Sequence, residues 1–252
     1  MITLSSDFGS PYPGAMKGVL LSRTDARLVD VAHDFPRQDV RAGAFWLREV
    51  LPYFPPAVHL VVIDPGVGTA RKALGLRVGE HALVGPDNGV LVPVARQLAG
   101  NGEIETFEIE YEDAESSTFH GRDVFAPAAA AVHEAGVANI AEIDGFVPTE
   151  DTVEFQFPSA EVSEENAAGE VLVVDGFGNA ITNIPGSVLD GRFGGTATVN
   201  GESAPVARSY AHVNAGDRLV TVGSHGNVEL AVNQGRGAKA FGVDVGNSIV
   251  VD

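Results

Sequence analysis

The chain has no cysteine. Disulfides, zinc–thiolate sites and thiol nucleophiles are therefore excluded. Lysine is almost as scarce, with only Lys17, Lys72 and Lys239. No uncharged apolar run approaches the ~20 residues that span a bilayer. Met1 to Asp7 lacks a basic segment followed by an apolar stretch, so no signal peptide is expected. A cytoplasmic, soluble protein is the expectation. Chemical signatures are missing too. There is no Gly-x-Ser-x-Gly nucleophile elbow. Gly9 to Met16 lacks the Lys-Ser/Thr of a phosphate-binding loop, and no two histidines share a helical face at metal-ligand spacing. Gly66 to Arg71 opens like a dinucleotide fingerprint but carries Arg71 where the third Gly belongs. A reaction without metal, cofactor or covalent nucleophile is the simplest expectation.

What is abundant is negative charge: 34 acidic residues against 16 basic ones, a formal net charge of −18. Such a surface repels nucleic acid backbones and anionic membranes. It also repels itself, and at ~1 M salt the Debye length of roughly 3 Å screens that repulsion. A salt-loving source is one reading; an ordinary acidic cytosolic protein is the other. With 252 residues, 44% of them hydrophobic, the chain is long enough for a sizeable core in one large domain or two small ones.

The pattern changes near residue 150. Before it, the apolar runs Ile2 to Leu4, Arg27 to Val31, Val58 to Ile63 and Ala82 to Val84 read as strands. Gly14 to Arg23, Val40 to Val50, Val90 to Leu98 and the alanine-rich Asp123 to Ala135 read as helices. Alternation of this kind predicts an α/β domain with a mostly parallel sheet over residues 1–158. The polar stretch 159–168 reads as a linker. Residues 169–252 hold short β-type runs punctuated by Gly, Asn and Asp, without a convincing helix. They predict an all-β, barrel-like domain.

Four clusters carry polar chemistry. Ile63-Asp64-Pro65-Gly66-Val67-Gly68-Thr69-Ala70-Arg71 follows a buried strand. Ligands of open α/β sheets collect just beyond the carboxyl ends of strands, and Asp64 and Arg71 on one tight loop can hold each other. Asp7, just past the first strand, either accepts hydrogen bonds from two sugar hydroxyls or caps a turn. His120, in Thr118-Phe119-His120-Gly121-Arg122-Asp123, is either an exposed reactive imidazole or a structural one. Asp175-Gly176-Phe177-Gly178-Asn179, with Tyr210 and Gly223-Ser224-His225-Gly226-Asn227 further on, reads locally as hairpin turns.

In series these motifs are uncommon. Asp64-Pro65-Gly66-Val67-Gly68-Thr69-x-Arg71, Thr118 to Asp123 and Asp175-x-Phe177-Gly178-Asn179-x-x-Thr182-Asn183 recur in order, together with Met16-Lys17-Gly18-Val19 and Gly85-Pro86-Asp87-Asn88-Gly89. The chain thereby resembles, from Asp7 to its C-terminus, the S-adenosylmethionine hydroxide adenosyltransferase family, which is related to the enzymes that make 5′-fluoro- and 5′-chloro-adenosine. The resemblance implies hydrolysis of S-adenosylmethionine to adenosine and methionine by attack at ribose C5′. It also implies a homotrimer whose substrate sits between one subunit's N-terminal domain and its neighbour's C-terminal domain. It makes Asp64, Arg71 and His120 a water-activating trio and Asp7 the ribose clamp. Phe119 joins the substrate-binding set. Asn179 and Tyr210, with Phe177 nearby, would surround adenine, as would Val232 and Gln234, with Glu229 close by. Asp175 and Ser224 would receive the methionine end. S-Adenosylmethionine is then substrate, not cofactor.

The chemistry suits these residue types. A sulfonium makes C5′ electrophilic and leaves as a neutral thioether, so the step lacks only a nucleophile. The trio would supply one, with either His120 or Asp64 taking the proton, Asp64 otherwise orienting His120 or the water, and Arg71 stabilising hydroxide-like charge. Halide is already an anion and wants desolvation and donors instead, so the trio favours water over a halide-using synthase. A SAM- or adenosine-binding protein without turnover is the remaining alternative.

Overall fold

The computed structural model describes residues 1–111 and 116–252. The chain forms two compact units, Met1–Gln156 and Phe157–Asp252. Among the described residues no helix is long and apolar enough to cross a membrane.

The first unit contains, in order, β1 (Ile2–Ser6), α1 (Tyr12–Leu21), β2 (Leu28–Ala32), α2 (Val40–Val50), β3 (Val58–Val62), β4 (Ala73–Val78), β5 (His81–Pro86), α3 (Val92–Ala99), β6 (Ile104–Ile109), α4 (Ala126–Ala135) and β7 (Phe146–Pro148). The sheet order is β2-β1-β3-β5-β4-β6-β7. The pairings β2–β1, β1–β3 and β3–β5 are parallel, whereas β5–β4, β4–β6 and β6–β7 are antiparallel. The expected mostly parallel sheet is therefore a mixed one. The reason is the β4–β5 hairpin, whose Gly79-Glu80 turn uses Gly79 at φ +57°; it reverses the chain and places the unforeseen β4 antiparallel beside β5.

Every residue of β1 and β3 is buried, because helices cover both faces. Ile2, Leu4, Val58, Leu60 and Val62 pack with Met16 and Leu20 of α1 and with α4. On the other face Ile63 meets Gly43 of α2, where any Cβ would collide with it. Asp39 caps α2 by accepting from Ala42 N at 2.9 Å, which leaves Ala44, Phe45 and Leu47 on the buried stripe. The α2 boundaries match the expectation. Before α4 the chain makes one wide π-type turn over Gly121–Phe125, a distortion that often accompanies functional sites.

A histidine pair, His59 buried and His81 half-buried, ties β1, β3 and β5 together. Thr3 Oγ1 lies 2.8 Å from His59 Nδ1, and His59 Nε2 lies 3.0 Å from His81 Nδ1. Burial, with His81 beside it, pushes the His59 imidazole down to about 3. In the unfolded chain it titrates near 6.5. Below that pH the unfolded state binds a proton that the folded state refuses, so stability falls as pH drops from about 6.5 towards 3. At roughly 1.4 kcal/mol per pH unit the full loss is on the order of 5 kcal/mol. Urea midpoints of the native protein should thus fall more steeply between pH 6.5 and 4 than those of His59→Gln. Parallel slopes would contradict the assignment.

The second unit holds β8 (Glu161–Val162), β9 (Ala167–Val174), β10 (Ala180–Pro185), β11 (Thr196–Val199), β12 (Glu202–Pro205), β13 (Arg218–Val222), β14 (Asn227–Val232), the short α5 (Gly237–Phe241) and β15 (Ser248–Val251). The stretch 159–168 thus includes β8 and the start of β9. The order is β12-β11-β15-β9-β10-β14-β13, with β8 on β9, and all these pairings are antiparallel. A bridge between Val206 and Val220, with Ala207 N to Val220 O at 3.0 Å, brings the two edges together. The sheet nearly closes around Val171, Ile184, Val220, Leu230 and Ile249. This is the expected barrel-like architecture, with α5 as an added helical turn.

Candidate active site

Strands β1 and β3 are parallel neighbours in register Ser6–Val62. Asp7 and Asp64 therefore emerge at the same carboxyl edge of the sheet. Asp64 opens a loop folded by Thr69 N and Thr69 Oγ1, both donating to Gly66 O at 3.1 and 2.7 Å. Gly68 sits at φ +77°, and a Cβ there would lie 2.5 Å from Ser117 O. Only glycine lets this loop lie against the segment that carries His120.

The loop turns Arg71 back on Asp64. Arg71 Nε lies 2.9 Å from Oδ1 and 3.1 Å from Oδ2, and Nη2 lies 2.5 Å from Oδ2. The two side chains are only 8% and 5% exposed, and the guanidinium rests 4.9 Å over the Phe125 ring. Arg71 Nη2 also reaches His120 Nδ1 at 2.9 Å. The expected trio is thus assembled. Gly121 permits the approach of its neighbours: a Cβ there would lie 3.0 Å from Met16 Sδ and 3.1 Å from Val62 Cγ1.

This arrangement assigns the imidazole. A guanidinium only donates, so His120 Nδ1 accepts, and the neutral ring carries its proton on Nε2. Burial first, and then the Arg71 charge, hold the His120 pKa below its ordinary value; Asp64 and Asp123 oppose the shift. Near neutral pH His120 therefore offers an Nε2–H donor. With Nδ1 held by Arg71 and the proton on Nε2, the neutral ring has no free lone pair, which leaves Asp64 as the other candidate for the proton of water.

Asp7 is buried. Its Oδ2 accepts from Gln38 N at 2.6 Å, with Gln38 at φ +60°, which leaves Oδ1 for a ligand. Ser6 Oγ to His33 Nδ1 at 2.6 Å and His33 Nε2 to Asp30 at 3.0 Å pin the strand end beside it. The sequence carried no signal for the Gln38 contact, because the donor is a backbone amide. Phe119 packs edge-on with Phe8 and Tyr12, at centroid distances of 6.0 and 5.6 Å.

In the second unit a cavity of about 520 Å³ is lined by Phe177, Asn179, Tyr210, Val232 and Gln234, together with Asn233, Gly235 and Arg236. The latter three were not singled out from sequence. Phe177 is 83% exposed. Asp175 and Glu229 stand behind the cavity, not on its lining. Asp175 turns both oxygens to Asn179, at 2.8 Å from its N and 3.1 Å from its Nδ2. Glu229 accepts from Tyr210 OH at 2.6 Å and lies 3.7 Å from His225 Nε2. Burial raises the Glu229 pKa, Asp175 adds to the shift and the Tyr210 bond opposes it. Burial and then Glu229 raise that of Tyr210. Ser224 is exposed in the turn between β13 and β14. A larger cavity of about 720 Å³, between α3 and the residues around Thr152, contains none of these groups.

The chain is similar to known proteins along nearly its whole length. Residues 2–143 match the model of the SAM hydroxide adenosyltransferase N-terminal domain, and residues 169–250 match that of the C-terminal domain. The chain is 39% identical to the (R)-S-adenosyl-L-methionine hydrolase of Salinispora tropica, over 99% of this chain and 97% of that protein. It is 40% identical to the protein of the same name from Thermus thermophilus, over 96% and 95%. Among solved structures, a conserved protein of Thermotoga maritima superposes with a TM-score of 0.83 at 32% identity, over 100% of this chain and 99% of the other. A conserved hypothetical protein from Thermus thermophilus gives 0.79 at 38% identity, over the same shares. The chain belongs to the SAM hydroxide adenosyltransferase family.

Proposed function

We propose that the protein hydrolyses S-adenosylmethionine to adenosine and methionine, with oxygen attacking ribose C5′ and the thioether leaving. The curated relatives are named for the R epimer at sulfur, and we take the same epimer as substrate here. The convergence of Asp64, Arg71 and His120 at one sheet edge carries the reading.

Each side chain then has a role that its hydrogen bonds allow. His120 donates from Nε2 to the attacking oxygen. Arg71 fixes His120 in that tautomer and adds positive charge where hydroxide-like charge develops. Asp64 Oδ1 has a single Arg71 contact, whereas Oδ2 has two. Oδ1 therefore receives the proton that water loses and passes it to solvent. The new bond is O–C5′, the broken one is C5′–S, and the electron pair stays on sulfur. Asp7 Oδ1 holds the ribose hydroxyls and fixes the in-line geometry.

The base lies in the cavity of Asn179 and Tyr210, with Phe177, Val232 and Gln234 around it. Phe119 faces the substrate beside His120 and Ser224 serves its methionine end, while Asp175, read from sequence as a methionine contact, instead holds Asn179 in place. Assembly as a homotrimer is part of the reading; the exposure of Phe177 suits an aromatic that awaits a partner copy. A halide-using synthase has no need of the trio, and a binding protein without turnover has no need of a buried, oriented guanidinium. Incubation with each sulfonium epimer tests the proposal. Adenosine and methionine should appear in equal amounts, faster from the R epimer. Bound but unconsumed substrate, or release of adenine, would contradict it.

A further inference from the structure

The hydrogen bonds around Asn179 run in one direction. Asp175 is a carboxylate and only accepts, so the atom 3.1 Å from its Oδ2 is the Asn179 amide nitrogen. Tyr210 OH donates to Glu229 Oε1 at 2.6 Å and must therefore accept from its other neighbour, Asn179 Nδ2, at 3.3 Å. Both N–H groups of the amide are thus consumed. Asn179 is 3% exposed and Glu229 4% exposed, so neither network rearranges freely in water. Asn179 lines the cavity, and the one polar atom of its amide not engaged within the described residues is Oδ1, an acceptor. No described residue donates to it.

We propose that Glu229, acting through Tyr210, and Asp175 are positioning residues that polarise the Asn179 amide, so that the cavity takes a purine with a 6-amino donor and rejects its 6-oxo counterpart. The inference rests on the reading that a nucleoside occupies this cavity. A 6-oxo group would set two acceptors against each other and leave the buried Oδ1 unpaired, the kind of mismatch from which binding sites draw their strongest discrimination. Stacking by Phe177 or Tyr210 is blind to that difference, because both bases have similar faces. The selectivity therefore resides in the direction of the amide. If Glu229 became an amide it could donate to Tyr210 OH. The hydroxyl could then donate to Asn179, and the preference for an acceptor at Oδ1 would weaken.

The test is the ratio of dissociation constants for adenosine and inosine, measured by calorimetry on the intact protein. The native protein should bind adenosine about 100-fold more tightly than inosine. In Glu229→Gln the ratio should fall about tenfold or more. Tyr210→Phe keeps the ring but removes the relay, so it should lower the ratio as well, even if Glu229→Gln does not fold. A fall in either variant supports the inference. It is overturned if the folded variants weaken both nucleosides equally and keep the native ratio, or if the native protein does not discriminate. A native protein that binds neither nucleoside would overturn the functional reading too, which separates the two failures.

Discussion

Arg71→Lys should lower kcat by about 10²- to 10³-fold while leaving KM within a few-fold of the native value. The magnitude is that of removing one oriented donor from a site of developing charge. The variant keeps the positive charge beside buried Asp64, so it avoids the roughly 3–5 kcal/mol destabilisation that follows when a buried ion loses its partner. What it loses is the fork. Arg71 contacts Asp64 through Nε and Nη2 and His120 through Nη2 at once, and a single ammonium on a flexible stem does not reproduce that geometry. His120 is then free to change tautomer and to offer a lone pair where a donor is required. An unchanged urea midpoint with a collapsed kcat is the expected combination. In the native enzyme protonation of His120, which would break its bond to Arg71, should cause no loss of kcat/KM above pH 6.5, because burial and Arg71 hold the ring neutral there. Native-like turnover in Arg71→Lys would remove the trio from the mechanism.

Asp7→Asn should reduce kcat/KM by about 10²-fold, with most of the loss in KM. Asparagine can still accept from Gln38 N through its oxygen, so the local fold survives. Its NH2 then faces the ribose where Oδ1 accepted, and hydrogen bonds to a charged group are worth about 1.5–3 kcal/mol. The same loss should appear when a 2′-deoxy substrate is given to the native enzyme. Combining variant and deoxy substrate should cost much less than the sum, since both remove one interaction. Additive losses would place Asp7 outside the ribose site.

The sequence made the chemistry more legible than the sheet. Asp64 and Arg71 lie on one short loop, so their meeting followed from local geometry and from a strand ending at Val62. His120 stood out only through its motif, because the contact that matters crosses from one loop to another. Strands β4 and β6 escaped notice. In β4 five of six residues are buried, which erases the polar alternation that marks a half-buried strand. The hairpin after it turned the expected parallel sheet into a mixed one. Hydrogen-bond direction was out of reach from sequence altogether. That His120 accepts from Arg71, and that Asp175 spends its oxygens on Asn179, depends on which atoms face each other across folded loops.

The most direct test of the mechanism is a single-turnover reaction in ¹⁸O-water, with mass spectrometry of both products. The account predicts one ¹⁸O in the 5′-hydroxyl of adenosine, none in methionine, and loss of the labelled product in His120→Ala even when substrate is saturating. Unlabelled adenosine, or label at any carbon other than C5′, would contradict it.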